Sequence, residues 1–431
     1  MIKEEDIQEY INQQVNSILI PTISDYVRIP NQSRAFDKDW ETDGLNEKVI
    51  DYALDFAKKL EIENMEYKII KEEHRTPAII VTITPPNYEK TILLYGHLDK
   101  QPPMTDQWTK TTPYDPKLIE NKLYGRGAAD DGYAFFSCAF LAKTSQKFNV
   151  LKNKLILFFE TDEESGSKDL LYYLNKEKDF IGTPNLVICL DSGCVDYEHL
   201  CMTTSLRGML RFRLKVSVLS SAIHSGIGSG IVPDSFRIGR SLIDLFESKE
   251  NGIILTEDLY VQIPEDKYTQ ATSLLKELGG KIDWKFPFLN GVQPTCKDPL
   301  QQYLNRSWIP QLTLIGIDGI PNKNNASNVV RPFTTFDLSI RLPPTLDNKK
   351  AEKIIINFFT NQKSICNAKI EIEIVSSGSG FNAKTYDEHL DNIIKEAGKN
   401  SFNKIPLMIF EGGSIPFVNE LAKIFTESDF I

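Results

Sequence analysis

The apolar run Leu93-Leu94-Tyr95-Gly96 closes on His97, with Asp99 two residues later. In an extended chain, residues i and i+2 share a face, so this imidazole and this carboxylate are placed to act together. A carboxylate behind a histidine is the usual partner that fixes the tautomer and orientation of a metal-ligating ring. Four further clusters follow. Gly125-Arg-Gly127-Ala-Ala-Asp130-Asp131-Gly132 sets two adjacent carboxylates among glycines that can take unusual backbone angles, just before a helical stretch. Glu163-Glu164-Ser-Gly-Ser closes the apolar residues 155–159, and Asp191 closes Val187-Ile-Cys-Leu. In open α/β sheets the carboxyl ends of the strands are where sites form. The last cluster is Ala222-Ile-His224-Ser-Gly. Taken singly, each has a plainer reading: acidic residues at strand ends cap helices or sit solvated in turns, and His224 alone reads as a turn or core histidine. His74, His199 and His389 have no such company. Taken together, histidine and carboxylates without thiolate suit Zn²⁺, Mn²⁺ or Co²⁺ in an open catalytic site. A carboxylate able to bridge two ions, with another beside it to activate water, is what two-metal hydrolysis requires.

These clusters need strands and helices to hold them. The 431 residues are long for one domain, and 41% hydrophobic with 25% charged residues is the composition of a globular protein. A net charge of −10 with no sustained basic block argues against nucleic acid or an anionic membrane as partner. The opening Met1-Ile-Lys-Glu-Glu-Asp has no cationic region followed by an apolar one. The apolar runs are strand-length. Six cysteines without a CxxC pair read as reduced thiols in a cytoplasmic protein. The segment up to about Lys71 reads as helical, with Ile7, Ile11, Val15 and Ile18 at helical spacing. Strand-like runs at 78–84, 91–96, 155–160 and 186–191 then alternate with helical stretches near 133–144 and 167–175, which predicts an α/β domain with a largely parallel sheet. After Arg207-Gly208 the texture changes. Residues 209–218 alternate apolar with polar, as a half-solvated strand does. Helices near 234–247 and 348–362 and strands at 311–317, 333–342 and 369–375 complete a smaller α+β domain. Ser376-Ser-Gly-Ser-Gly reads as the linker returning to the first domain.

His97-Leu-Asp99, Gly125-Arg-Gly-Ala-Ala-Asp130-Asp131-Gly, Glu163-Glu164-Ser-Gly-Ser, Asp191, His224-Ser-Gly, Asn328-Val-Val-Arg-Pro and Glu411-Gly-Gly-Ser-Ile-Pro, in this order, resemble the co-catalytic zinc metallopeptidases. That superfamily holds aminoacylases, glutamate carboxypeptidases, succinyl-diaminopimelate desuccinylases, and carnosine and non-specific dipeptidases; the Glu-Glu-Ser-Gly-Ser and Glu-Gly-Gly-Ser-Ile-Pro strings look closest to the dipeptidase branch. The resemblance implies an α/β fold: a mostly parallel-sheet catalytic domain (1–205 and 379–431) with an inserted α+β lid and dimerisation domain (206–378). It implies two divalent metal ions, zinc foremost, with His97 and Asp191 on one, Glu164 on the other and Asp130 between them. Glu163 would be the general base on a water held between the ions, Asp99 the partner of His97, and the Asp130–Asp131 bond cis. His224 would reach into the partner's site of a homodimer, with the strand at 209–218 supplying an open edge. Asn328, Arg341, Gly413 and Ser414 would bind substrate.

The implied activity is that of a metal-dependent exopeptidase of dipeptidase or carboxypeptidase type acting on a small peptide. The alternatives are an N-acyl-amino-acid amidohydrolase, such as a desuccinylase, and a catalytically impaired binding protein. Two departures bear on this. The resemblance places a last histidine ligand beyond Ser414, whereas the last histidine here is His389. The second catalytic segment is therefore expected to be incomplete, and the second metal weakly held. Phe410 also stands where the dipeptidase branch commonly carries an arginine, the natural bidentate partner of a substrate carboxylate.

Overall fold

The computed structural model describes residues 4–282, 284–363 and 365–431. They divide into two units by internal contacts: residues up to Ser192 together with Glu420–Ile431, and Gly193–Asn419.

The first unit is built on a six-stranded sheet in the order Met65–Ile70, Ala78–Ile83, Lys154–Glu160, Thr91–His97, Leu186–Cys189, Asp429–Phe430. The first two joints are antiparallel and the other three parallel. Ala78–Ile83 is buried along its whole length, and Thr91–His97 and Lys154–Glu160 along most of theirs, as sheets covered on both faces require. Ile79, Val81, Leu155, Leu157 and Phe159 share one core with the helices Leu45–Lys59 and Tyr133–Lys147. Phe136 anchors that core, packing edge-on against Tyr26, Tyr52, Phe56 and Phe135. The N-terminal segment is not helical as far as Lys71. Helices end at Lys59, and Met65–Ile70 pairs antiparallel with Ala78–Ile83. Its mixed residues, Glu66 and Lys68 among them, carry no clear period because the strand is largely exposed.

The second unit contains an antiparallel sheet in the order Gln311–Asp318, Phe333–Leu342, Gly208–Ser217, Lys369–Gly378. Leu210, Phe212, Leu214 and Val216 face the helices Ser235–Phe246 and Asn348–Thr360. Asp234 and Asp347 cap those helices, accepting from Arg237 N and Lys350 N. The alternation in 209–218 identified the face correctly but not the position. This strand is central, paired along its length on both sides, so it offers no open edge; the edges are Gln311–Asp318 and Lys369–Gly378. Alternation reports which face is wet and carries no information about neighbours. Two boundaries also differ from expectation. Ser376, Ser377 and Gly378 continue a strand rather than forming a linker. Residues 381–419 stay with the second unit, because Leu407–Glu411 pairs in parallel with Cys201–Leu206, which also receives Phe381–Asn382. All six cysteines are free thiols. No helix among the described residues is long and apolar enough to cross a membrane.

Candidate metal centre

Three adjacent parallel strands deliver the site. In the ladder His97 lies opposite Glu160, and Tyr95 opposite Cys189. His97, the turn Glu163–Ser165 and Asp191 therefore emerge at the same carboxyl edge of the sheet. Asp130 arrives from the loop before Tyr133–Lys147, and its bond to Asp131 is cis, as the resemblance implied. Asp131 turns inward. It is fully buried, and its Oδ2 accepts the backbone N–H of His97 at 3.2 Å. That approach is possible because position 96 is glycine: a Cβ there would collide with Asp131 Oδ2 and the Phe159 ring.

His97 is fully buried. Its Nδ1 faces Asp99, 3.1 Å from the backbone oxygen and 3.3 Å from Oδ1. Its Nε2 faces outward, 3.1 Å from Asp130 Oδ1 and 4.0 Å from Asp191 Oδ2. The Asp99 carboxylate also accepts Glu163 N at 3.2 Å and Glu164 N at 3.1 Å. One carboxylate thus orients both the imidazole and the turn that carries two further carboxylates. Donor atoms of His97, Asp130 and Asp191 converge within 4.8 Å of one another, as do those of His97, Glu163 and Glu164.

The electrostatics calls for a cation. Burial, reinforced by Asp191, Asp99 and Glu164, pushes the Glu163 carboxyl up to about 9. Burial and Asp130 push Glu164 to about 7, and burial raises Asp191 as well. Hydrogen bonding from His97 holds Asp130 below the usual carboxylate range. Burial works against charge on His97, yet its bonds to Asp130 and Asp99 outweigh it and hold the ring well above the ordinary histidine value. Glu164 Oε1 is buried without a hydrogen-bond partner. An imidazole nitrogen, carboxylate oxygens and an unpartnered buried oxygen fit a divalent metal of the zinc, manganese or cobalt kind.

In the second unit, Arg341 Nη1 donates to Ser414 Oγ at 2.9 Å. His224 is exposed and pairs with Val329, next to Asn328, whose carbonyl accepts Ser225 N at 2.9 Å. The expected substrate-binding residues thus fall into two groups, Arg341 with Ser414 and Asn328 with His224, while Gly413 follows the strand Leu407–Glu411. Phe410 is buried, stacked on Tyr303 with centroids 5.2 Å apart. Two arginines approach the loop that follows it: Arg306 Nη2 lies 3.2 Å from Glu411 Oε2, and Arg207 Nε donates to Gly412 O at 2.9 Å.

Sequence reasoning passed over Lys100, Gln101, Arg34 and Asn31. Lys100 is fully buried, its Nζ on Asn31 Oδ1 at 2.6 Å and on Ile29 O at 3.0 Å. Gln101 Nε2 donates to Glu164 Oε2. A lysine directly after Asp99 was the one available signal, since a cation closing a buried strand needs a partner; Arg34 and Asn31, far off in sequence, gave none.

The sequence model of peptidase family M20/M25/M40 matches residues 93–424. Among curated proteins, the Cys-Gly metallodipeptidase DUG1 of Candida albicans is 28% identical over 342 residues, covering 76% of this chain and 68% of that protein. The beta-Ala-His dipeptidase of Mus musculus is 27% identical over 361 residues, covering 81% of this chain and 70% of that protein. Among solved structures, human carnosine dipeptidase 1 superposes with a TM-score of 0.76 at 21% identity, over 99% of this chain and 91% of that one. The metallo-carboxypeptidase Sso-CP2 of Sulfolobus solfataricus gives 0.76 at 18%, over 96% and 90%. At these identities the two structures establish the fold.

Proposed function

This chain belongs to peptidase family M20/M25/M40, and we propose that it is a metal-dependent exopeptidase of dipeptidase type, acting in the cytoplasm as a homodimer. The observation that carries this reading is the convergence of His97 with Asp130 and Asp191 on one side and with Glu163 and Glu164 on the other. In this reading His97, Asp130 and Asp191 would hold one zinc ion, and Asp130 and Glu164 would hold a second more weakly. Bound there, the ions would supply Lewis acidity, easing deprotonation of the attacking water and polarising the scissile carbonyl. Glu163 takes the proton of that water and returns it to the leaving amine. Its raised affinity for protons suits the task, and a neighbouring cation would lower it. Asp99 keeps the His97 ring and the Glu163–Glu164 backbone in register. Arg341, Ser414, Gly413 and Asn328 bind the peptide, and His224 serves the site of the partner subunit. The dipeptidase relatives support a dipeptide substrate.

The test is a panel of dipeptides, including Cys-Gly and β-Ala-His, with N-acyl amino acids beside them, run before and after chelation and zinc readdition. Metal-dependent release of amino acids from dipeptides is expected. Glu163→Gln should keep bound metal and lose at least ~10² in turnover. Hydrolysis confined to N-acyl amino acids, or a fully active Glu163→Gln chain, would refute the reading.

A further inference from the structure

Residues 29–35 lie ahead of the segment matched by the family model, yet they touch both halves of the metal centre. On the His97 side, Asn31 Nδ2 donates to Leu98 O at 2.9 Å, between His97 and Asp99. Lys100 Nζ grips Asn31 Oδ1 and Ile29 O, and Ser33 N donates to Lys100 O at 3.0 Å. On the Glu163 side, Ser33 Oγ and Ser165 Oγ are 2.5 Å apart, and Ala35 N donates to Ser165 Oγ at 2.9 Å. Arg34 spans the base of the same turn: Nη2 lies 2.8 Å from Asp162 Oδ2, and Nη1 lies 2.9 Å from Asp169 Oδ2. Both carboxylates are almost wholly buried.

We propose that residues 29–35 are a clasp that sets Glu163 and Glu164 against His97, with Arg34 and Ser165 as its positioning residues. The turn needs one. Glu163–Ser165 is a single 3₁₀ turn followed by Gly166 at φ 91°. Around the turn, Ser165 N and Ser167 N donate to Asp162 O and Gly166 N to Glu163 O. Another outside tie is the Asp99 carboxylate on Glu163 N and Glu164 N, itself an acid, so Arg34 is the cationic anchor at its base. Arg34 reaches two acceptors at once through its planar fork, which a lysine cannot copy.

The inference rests on the exopeptidase reading for its catalytic consequence only. The experiment compares Arg34→Lys and Ser165→Ala with the wild-type chain by amide hydrogen exchange, melting temperature, and kcat and KM on a cleaved dipeptide. Exchange at residues 163–167 is expected to speed up about tenfold or more in both variants, with Lys154–Glu160 still protected. kcat should fall ~10–100-fold, the usual effect of losing an outer partner of a metal site, with KM nearly unchanged. Unchanged exchange at the turn in both variants, unchanged kcat, or loss of protection throughout the unit in step with activity would overturn the clasp. If the wild-type chain cleaves no dipeptide, the functional reading fails and the exchange result alone decides the clasp. Ser165→Ala leaves the buried ion pairs intact, so the test holds even if Arg34→Lys does not fold.

Discussion

Asp99→Asn probes how the centre is held together. The carboxylate serves three donors: Glu163 N and His97 Nδ1 at Oδ1, and Glu164 N at Oδ2. Asparagine offers one acceptor oxygen, so its NH₂ must face at least one donor. The least costly orientation turns the NH₂ toward Glu164 N and loses one charge-assisted bond, about 1.5–3 kcal/mol. The two contacts that remain drop from charged to neutral, losing roughly half their strength. Against this stands relief, because the Asp99 charge adds to the repulsion felt by Glu163, Glu164 and Asp191. In the metal-free protein near neutral pH that relief is small, since burial already keeps Glu163 protonated. The loss wins, and urea denaturation of chelated protein should show a destabilisation of about 3–6 kcal/mol. In the metal-loaded protein the same loss should appear as zinc affinity reduced ~10–100-fold, read by calorimetric titration. An asparagine variant matching wild type in both denaturation midpoint and zinc affinity would show that these three contacts position nothing.

Gly96→Ala drives a methyl group into Asp131 Oδ2 and the Phe159 ring and should cost about 1–3 kcal/mol in denaturant melts; a neutral result would mean that the Asp131 loop yields freely. Stability of the metal-free protein should depend on pH through Glu160, pushed up to about 8 by burial, and Glu163, at about 9. Both folded values lie above the ordinary carboxyl value, so the folded state binds more protons than the unfolded one between roughly pH 4.5 and 9, and stability falls as pH rises through that window. Chelated protein should therefore melt lower at pH 8 than at pH 5.5, and zinc should flatten the difference; a metal-free melting temperature that rises over this interval would contradict the assigned burial.

The parts of the centre that lie in continuous apolar runs were legible in the sequence. His97, Glu163 and Glu164 close or closely follow strands buried along most of their length, Asp191 follows a half-buried one, and hydrophobic runs with an acidic stop announce such places. Asp130 was legible through its glycine-flanked motif. Of the motif's three glycines, only Gly127 has positive φ, at 82°; Gly125 and Gly132 are needed because side chains crowd them, Val27 at the first and Tyr26 at the second. What stayed hidden was whatever depends on partners far along the chain. Nothing local distinguishes Met65–Ile70 from a helix end, because an exposed strand has no buried face to set its period. The central place of Gly208–Ser217 depends on strands more than a hundred residues away, and so does the pairing that keeps Leu407–Glu411 in the second unit.

The placement of the cations explains why the carboxylates remain available to metal. Lys100 directly follows Asp99, and successive side chains of an extended segment point to opposite sides. Its ammonium group accordingly lies away from the ring of acids, on Ile29 O, Asn31 Oδ1 and the face of Tyr26, 3.6 Å from the ring centroid. Burial lowers its proton affinity well below the ordinary lysine value, so its position there has a cost that the carbonyl contacts offset. Arg34 behaves alike: it pairs with Asp162 and Asp169, neighbours of the acidic pair, and not with Glu163 or Glu164. Had either cation entered the ring, it would have opposed the burial and neighbouring acids that raise Glu163 and Glu164, and a divalent ion would have had to displace it. Held one residue away, the two cations fix the backbone beneath the site without pairing with Glu163 or Glu164. A fold that holds such a cluster of buried acids is stabilised by a cation that binds there, by an amount that grows with the logarithm of the ion's concentration over its Kd.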